Sequence, residues 1–482
     1  MTTRGSRRDR VRSRAVRLAG RLPRDVGPPF VQRLGREDRA KRAQRLMASD
    51  PESALRLLTA EITPDAPAWL VHSASLAAIR SEDFAAAVEL ITRLGTITDL
   101  GFADCVRLVT ATRQVGTDED LLRAQRSMLT APPPASTPSL NHGVRALHGL
   151  DASLLPEVES WRARLAAHGT DLDLSAPDRL ILELRAREML VKGPIDPDIV
   201  ADLLTHEAGA PMLLREILRA KRFRELEEQI DLMPPESLAR VGDGLWELIW
   251  NRARSFGWTS LAATAISQIE GTVDEAVRAQ RVAEAADEQA LLASPWHPPT
   301  TTGPTEPASL DPRSVVSVLG QSLPLRSGGY ATRSHGILTG LAARGWDMTA
   351  VTRRGFPFDM WWSEDDARVP APVDVVDGIP YHRLLDEGVR HYPRAPLPPY
   401  VDECAKGVAE IARRKQASLI HASSLYDVGM AGLVAARELS VPFVYEMRGL
   451  KQLLEAARQP LFVESPRHTY LDQLEGTVAR NA

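Results

Sequence analysis

Residues 315–354, VVSVLGQSLPLRSGGYATRSHGILTGLAARGWDMTAVTRR, decide the fold class of this chain. An apolar run at 315–319 is followed by a loop that contains Gly328 and Gly329, then by apolar residues at helical spacing. A second apolar run follows at 348–351. This order predicts a strand, a glycine loop, a helix and a strand, which together open a doubly wound α/β domain.

The glycine loop predicts a phosphate site. Glycines let the backbone approach a phosphate closely, and the next helix offers unpaired N–H groups and the positive end of its dipole. Gly328 and Gly329 are therefore candidate contacts for a diphosphate, with a simple tight turn as the alternative. Hydride transfer is disfavoured, because the glycines lack the G-x-G-x-x-G spacing and Arg353 stands where an NAD site places an acidic residue.

Length and composition narrow the classes of protein. A chain of 482 residues predicts two or three domains, and 59 basic against 63 acidic side chains do not favour nucleic acid as a partner. Cys105 and Cys404 lie far apart, which predicts free thiols in a reducing compartment. The sequence contains no recognisable signal peptide or membrane-spanning apolar stretch, so we expect a cytoplasmic protein.

The N-terminus is strongly basic. Residues 1–45 contain fifteen Arg or Lys side chains and four acidic ones. We interpret residues 1–36 as a solvated, disordered tail. The alternative is a weakly amphipathic helix that lies on the inner face of an anionic membrane as a peripheral contact.

Residues 37–293 have a helical pattern almost throughout, with a proline-rich break near 131–140. Three similar segments can be aligned at Ala54, Ala87 and Ala124, at spacings of 33 and 37 residues. They resemble tetratricopeptide helix pairs, whose period is roughly 34 residues. An irregular helical bundle is the alternative. A repeat stack of this kind would provide a surface for a protein partner.

The helical region contains no recognisable catalytic constellation. Trp246, Trp250 and Trp258 are interpreted as core residues, with a ligand groove as the alternative. The scattered histidines lack metal-ligand spacing, so no metal site is predicted.

A proline-rich segment at 294–313 is predicted to be an extended linker before an α/β domain at 314–482. Asp377 and Gly378 sit between alternating apolar residues, which predicts a hairpin turn. Further helices and strands alternate after it, which predicts a parallel sheet with ligand-binding loops at the strand C-terminal ends. Those ends carry Gly328, Gly329, Arg353, His421, Ser423, Ser424, Arg448 and Gly449.

Residues 314–482 resemble the N-terminal, acceptor-side Rossmann-like domain of GT-B glycosyltransferases of family four. The resemblance rests on residues 327–357, 373–384 and 421–450, and on the helix that contains Glu475. It covers the C-terminal third of the chain.

The resemblance implies retaining transfer of a sugar from a nucleotide-sugar donor to a glycan or lipid-linked acceptor, in polysaccharide or cell-envelope glycan synthesis. No cofactor or metal is implied beyond the nucleotide sugar. Gly328 and Gly329 would face the donor diphosphate or sugar. The cleft or acceptor side would be lined by Tyr330, Arg333, His335, His421, Arg448 and Gly449. Many relatives have a histidine where this chain has Arg448, so no catalytic residue is assigned.

The family continues beyond the point that corresponds to Ala482, so the α/β domain is expected to be truncated. Three hypotheses follow. One is a glycosyltransferase, or its acceptor-side portion, and another is a non-catalytic helical scaffold with a degenerate glycosyltransferase half. An enzyme of another class that acts on sugar phosphates or sugar nucleotides is a third.

Overall fold

The computed structural model describes residues 29–168, 171–269, 273–300, 310–360 and 368–482. The chain groups into two compact units, Met1–Ala220 and Lys221–Ala482. Most of the predicted basic tail, residues 1–28, lies outside the described residues.

The first unit is helical. Its α-helices are α1 (Pro29–Leu46), α2 (Pro51–Thr59), α3 (Ala68–Arg80), α4 (Phe84–Ile97), α5 (Phe102–Val115), α6 (Asp118–Thr130), α7 (Thr137–Ala146), α8 (Leu155–Ala167), α9 (Ser175–Lys192), α10 (Pro197–Leu204) and α11 (Gly209–Arg219), with a 3-10 turn at Ala152–Leu154.

Capping side chains explain why the three aligned segments begin with polar residues. The side chains of Asp50 and Asp83 accept backbone N–H bonds at the starts of α2 and α4, and Thr117 forms a capping box with Asp120 at the start of α6. The helical prediction for this region is therefore confirmed.

The three aligned alanines, Ala54, Ala87 and Ala124, are all buried. Successive helices from α1 to α6 contact one another along the chain. This order is compatible with a stack of helical hairpins, whereas the tetratricopeptide identity stays a prediction. The proline-rich break is the loop between α6 and α7, and Met128 and Leu140 from its two sides pack in one core cluster.

The second unit starts with helices and continues as an α/β sheet domain. Its helices are α12 (Phe223–Leu232), α13 (Pro235–Leu238), α14 (Asp243–Ser255), α15 (Thr259–Ser267), α16 (Glu275–Ala293), α17 (Gly329–Ala342), α18 (Leu397–Arg414), α19 (Tyr426–Leu439), α20 (Lys451–Arg458) and α21 (Pro466–Arg480), with 3-10 turns at Phe358–Met360 and Pro460–Glu464. Its strands are β1 (Asp311–Leu319), β2 (Asp347–Thr352), β3 (Val373–Val376), β4 (Ile379–His382), β5 (Ala417–Ser423) and β6 (Phe443–Glu446).

The sheet has the order β3-β4-β2-β1-β5-β6, and every neighbouring pair is parallel except β3 and β4. This mixed parallel sheet with flanking helices confirms the predicted α/β class. β2 lies on one side of β1 and β5 on the other, so the strand order reverses between β1 and β5. Ligands of doubly wound folds bind at such a reversal, beyond the carboxyl ends of the strands.

The predicted hairpin turn is also confirmed. Asp377 has φ 47° and Gly378 has φ 80°, and they join the antiparallel strands β3 and β4. Positive φ at both central residues is the geometry that favours the right-handed twist of a hairpin.

Helices α12 to α16 belong to the same unit as the sheet. On α16, an Asp287 carboxylate oxygen accepts the backbone N–H of Leu397 at 2.9 Å, and Glu288 accepts Arg467 Nη1 at 2.5 Å. Leu291 is part of the core that covers the sheet. The boundary between the two compact units thus falls between Ala220 and Lys221. The boundaries predicted at 293 and 313 mark changes in amino-acid composition.

Trp246 and Trp258 are buried, which confirms their interpretation as core residues, whereas Trp250 is only half-buried and lines a surface cavity. Among the described residues, no helix combines the length and the apolar character that crossing a membrane would require.

Candidate active site

A cavity of about 230 Å³ lies at the carboxyl edge of the sheet, at the reversal between β1 and β5. It is lined by Gly320, Gln321, Tyr330, Ser334, Arg353, Met360, Arg394, Ser423, Ser424, Leu425, Asp427 and Arg448. Residues from the ends of β1, β2 and β5 therefore meet residues from the first turns of α17 and α19.

Gly328 and Gly329 form the start of α17. Gly328 is the N-cap with φ −175°, an extended conformation that any residue can adopt. A Cβ added to either glycine would meet no atom of the described residues within 4 Å. Neither the backbone nor the packing of the described residues therefore requires glycine here, and what the pair provides is open space beside a helix N-terminus.

Glu446, at the end of β6, connects three of the predicted site residues. Its Oε1 accepts Arg333 Nη2 at 2.8 Å, its Oε2 accepts Arg448 Nη2 at 2.6 Å, and His421 Nε2 lies 3.5 Å from Oε2. Burial acts to raise the pKa of the Glu446 carboxyl, but Arg448, His421 and Arg333 outweigh burial and lower that pKa. Arg333, Glu446 and Arg448 are called the Glu446 cluster below.

Arg448 is held from several sides, and its side chain is only 2% exposed. Nη1 donates to Ser334 Oγ at 2.7 Å and to the Tyr330 carbonyl at 3.3 Å, while the backbone N–H donates to Ser424 Oγ at 2.8 Å. Among the described residues, Arg448 Nε has no hydrogen-bond partner. The guanidinium is thus fixed between β6 and the first turn of α17, on the wall of the cavity.

Gly449 follows Arg448 and packs against the ring of Tyr330. A Cβ at Gly449 would lie 2.5 Å from the Tyr330 hydroxyl oxygen, which is too close for any larger residue unless the ring moves. Tyr330 itself is 41% exposed. Glycine at 449 therefore allows an aromatic ring to stand at the rim of the cavity.

His421 lies within β5, two residues before the end of the strand. Its Nδ1 is 2.9 Å from Ser317 Oγ, its partner across the β1–β5 register. Burial lowers the pKa of His421, and the attraction of Glu446 offsets this only in part. The lowered pKa favours the neutral form of this imidazole.

A second group of charges contributes Arg353, Arg394 and Asp427 to another wall of the cavity. Arg353 forms a two-point contact with Asp359 at 3.0 and 2.7 Å, and Arg394 bridges Asp359 Oδ2 at 2.6 Å and Asp427 Oδ2 at 3.2 Å. Burial acts to lower the pKa of Arg394, but Asp427 and Asp359 raise it. These four residues are called the Asp359 cluster.

The structure places His335 away from the other predicted site residues. Its Nδ1 contacts the Tyr381 hydroxyl at 2.8 Å, and its Nε2 contacts Asp377 Oδ2 at 2.8 Å. His335 therefore faces the β3–β4 hairpin. The other predicted residues do gather near the cavity or at the helix start beside it: Gly328, Gly329, Tyr330, Arg333, His421, Arg448 and Gly449.

Sequence analysis missed six polar residues of this region: Gln321, Ser334, Asp359, Arg394, Asp427 and Glu446. Glu446 carried a usable signal, because it closes a strand two residues before Arg448 and a parallel strand end is where functional side chains gather. We find no comparable local signal for Asp359 or Arg394.

The fold and the site define a class of protein, a Rossmann-like α/β domain with a cavity at the strand reversal. Residues 328–482, roughly a third of the chain, match the family model described as a glycosyl transferase 4-like domain. A search of curated proteins found no match. The C-terminal part of this chain is thus similar to glycosyl transferase 4-like domains, which supports a glycosyltransferase in general.

Proposed function

We propose that this chain is a retaining, nucleotide-sugar-dependent glycosyltransferase of the GT-B type, or the acceptor-side portion of one. The observation that carries the proposal is a surplus positive charge beside an open helix N-terminus. In the Glu446 cluster two guanidinium groups share one carboxylate, and the cluster contacts the first turn of α17, which Gly328 and Gly329 leave unobstructed.

A diphosphate suits this arrangement. Arg333 is 58% exposed and can reorient toward a ligand, whereas Arg448 is buried and fixed. Charge-assisted hydrogen bonds from guanidinium groups to phosphate are among the stronger polar contacts in proteins. The N–H groups and the dipole of α17 would add to the same attraction.

The chemistry requires little covalent help from the protein. The bond between the sugar C1 and the diphosphate oxygen breaks, a bond from C1 to the acceptor oxygen forms on the same face, and the acceptor proton passes to the departing diphosphate. The proposed contribution of the chain is to orient the two substrates and to stabilise the charge that develops on the diphosphate.

The acceptor would enter the neighbouring cavity, with its hydroxyl group directed toward the donor sugar. A glycan or lipid-linked acceptor fits the proposed role in polysaccharide or cell-envelope glycan synthesis. We further propose a cytoplasmic location, a peripheral contact of the basic N-terminus with the inner membrane face, and a protein partner for the helical region.

Two substitutions at one glycine test the donor site. Gly329→Asp places a carboxylate where the diphosphate is proposed to bind, but an acidic residue in the first turn of a helix stabilises that helix. Gly329→Ala adds only a methyl group to open space. We expect Gly329→Asp to reduce sugar transfer by at least about 10-fold through charge repulsion, with unchanged thermal stability, and Gly329→Ala to retain most activity.

The assay should use protein produced in its native host, so that any further domain or partner is present, with a panel of nucleotide sugars as donors. Full activity of Gly329→Asp would overturn the diphosphate assignment. If the wild-type protein transfers no sugar from any donor and binds none, the non-catalytic scaffold becomes the better hypothesis.

A further inference from the structure

The loop that leads to Gly328 is held by a hydrogen bond from the buried side chain of Arg383. The carbonyl of Leu323 accepts Arg383 Nη2 at 3.1 Å, and the loop is tightened by a bond from Arg326 N–H to the Ser322 carbonyl at 3.0 Å. Arg383 follows the end of β4, so the anchor comes from the β3–β4 hairpin and its flank rather than from the strand that precedes the loop.

Arg383 is an unusual residue to bury. Its side chain is fully buried, it pairs with Asp374 of β3 at 3.0 Å, and it lies over the ring of Phe356 at 5.7 Å. Burial lowers the pKa of Arg383 despite the attraction of Asp374. A buried ion pair is weak evidence for stability, because desolvation offsets much of its attraction. Its directional contact with the loop is the property that an apolar residue could not provide.

The hairpin also holds the helix that follows the loop. The Asp377 carboxylate at the hairpin turn lies 2.8 Å from His335 Nε2, and the Tyr381 hydroxyl lies 2.8 Å from His335 Nδ1. Burial raises the pKa of Tyr381 to about 12, so its hydroxyl stays protonated at neutral pH. His335 lies in the second turn of α17, directly after the residues that contact the Glu446 cluster.

We propose that the β3–β4 hairpin is a positioning element for the donor site. Arg383 fixes the position of the loop before Gly328. The contacts among Asp377, His335 and Tyr381 fix the orientation of α17 about its axis. None of these residues lines the cavity described above. The inference rests on the proposed function, since it is the diphosphate site that would depend on this geometry.

Tyr381→Phe tests the proposal with a single hydroxyl, and Tyr392→Phe is the matched control. Among the described residues, the Tyr392 hydroxyl accepts the N–H of Asp386 and donates to the Asp386 carbonyl, so its hydrogen bonds stay within a local loop. We expect Tyr381→Phe to accelerate amide hydrogen exchange in residues 320–336 by roughly fivefold, the effect of losing one buried hydrogen bond. Tyr392→Phe should leave that segment unchanged.

Kinetics separate positioning from general stability. In the active protein, Tyr381→Phe should lower kcat/KM for the nucleotide sugar severalfold and leave KM for the acceptor unchanged, because only the donor loop shifts. Arg383→Lys keeps a positive charge next to Asp374 but loses the guanidinium group that also donates to the Leu323 carbonyl. This variant should therefore also lower kcat/KM for the nucleotide sugar. Equal losses for donor and acceptor would indicate a merely structural role and overturn the proposal.

The exchange measurement needs no turnover, so the two proposals can fail separately. Faster exchange at 320–336 in a protein that transfers no sugar would show that the hairpin positions this loop and the start of α17, and would reject the transferase. Unchanged exchange in Tyr381→Phe, together with donor-dependent transfer that Gly329→Asp abolishes, would sustain the transferase and reject the positioning role.

Discussion

The two charged clusters at the cavity share an arrangement of ion pairs but differ in net charge. In each, one carboxylate joins a buried arginine and a more exposed arginine: Glu446 joins Arg448 and Arg333, and Asp359 joins Arg353 and Arg394. The Asp359 cluster contains a second carboxylate, Asp427, which is 4% exposed.

This extra carboxylate changes what each wall can bind. Among the described residues, the Asp359 cluster is neutral, because two arginines face two aspartates, whereas the Glu446 cluster has one positive charge in excess. The excess lies on the side of α17, where an anionic donor is proposed. A neutral wall suits an uncharged acceptor hydroxyl, since no arginine on it lacks a carboxylate. The difference predicts that similar ion pairs serve stability on one wall and ligand binding on the other.

The largest expected effect is on stability, from Arg394→Met. This change leaves the buried Asp427 without its guanidinium partner, so the free energy of unfolding should fall by about 3 kcal/mol in chemical denaturation. Arg413→Met, which breaks an exposed pair with Glu438, is the control and should cost less than about 1 kcal/mol. Equal losses in the two variants would mean that the Asp359 cluster is not a stabilising unit.

Arg448→Met should act mainly on catalysis. Removing one fixed donor to a developing negative charge typically lowers kcat by about 100-fold or more. Arg458→Met on α20 removes an exposed guanidinium of the same domain and should leave kcat unchanged. If Arg448→Met lost stability but retained kcat, the contrast between the two walls would collapse.

Arg333→Met should have a smaller effect, confined to donor binding. Because this side chain is mostly exposed, its loss should change the free energy of unfolding by less than about 0.5 kcal/mol. The KM for the nucleotide sugar should rise by about 5-fold at low salt, and the difference should shrink as screening increases above 0.1 M salt. A change in KM that does not depend on ionic strength would contradict an electrostatic role for Arg333.

The smallest effect concerns pH. The folded-state pKa of His421 lies below its ordinary value of 6.5, so the unfolded chain takes up a proton first as pH falls below 6.5. The contribution of His421 to stability is therefore complete above pH 6.5 and is lost progressively below it. His421→Asn should reduce the slope of unfolding free energy against pH in this window. His382, whose pKa is also lowered by burial, should preserve part of the slope.

Much of the sheet domain could be predicted because local sequence determines it. The apolar runs became β1 and β2, and Asp377-Gly378 formed the expected turn. The side that His335 faces could have been predicted as well. Two residues five positions apart on an α-helix point in directions that differ by about 140°, so His335 and Tyr330 cannot face the same cavity.

The rest depends on contacts between distant residues. Glu446 meets Arg333 across 113 positions of sequence, and Asp287 meets Leu397 across 110. No local pattern encodes such pairs, so the balance of charge on the two walls was not accessible from sequence. The packing of α16 against the sheet domain was not predictable for the same reason. The proline-rich composition at 294–313 indicates a linker, but it does not indicate which contacts the helix before it makes.

The contacts of α16 have a practical and evolutionary consequence. The N–H at the start of α18 and the guanidinium of Arg467 both find their carboxylate acceptors on α16. A domain excised at β1 would expose the core around Leu291 and lose both acceptors at once. Any laboratory truncation or natural gene fusion that moves this sheet to a new protein should therefore transfer residues 221–482 together, with the helices as the inseparable half of the exchanged module.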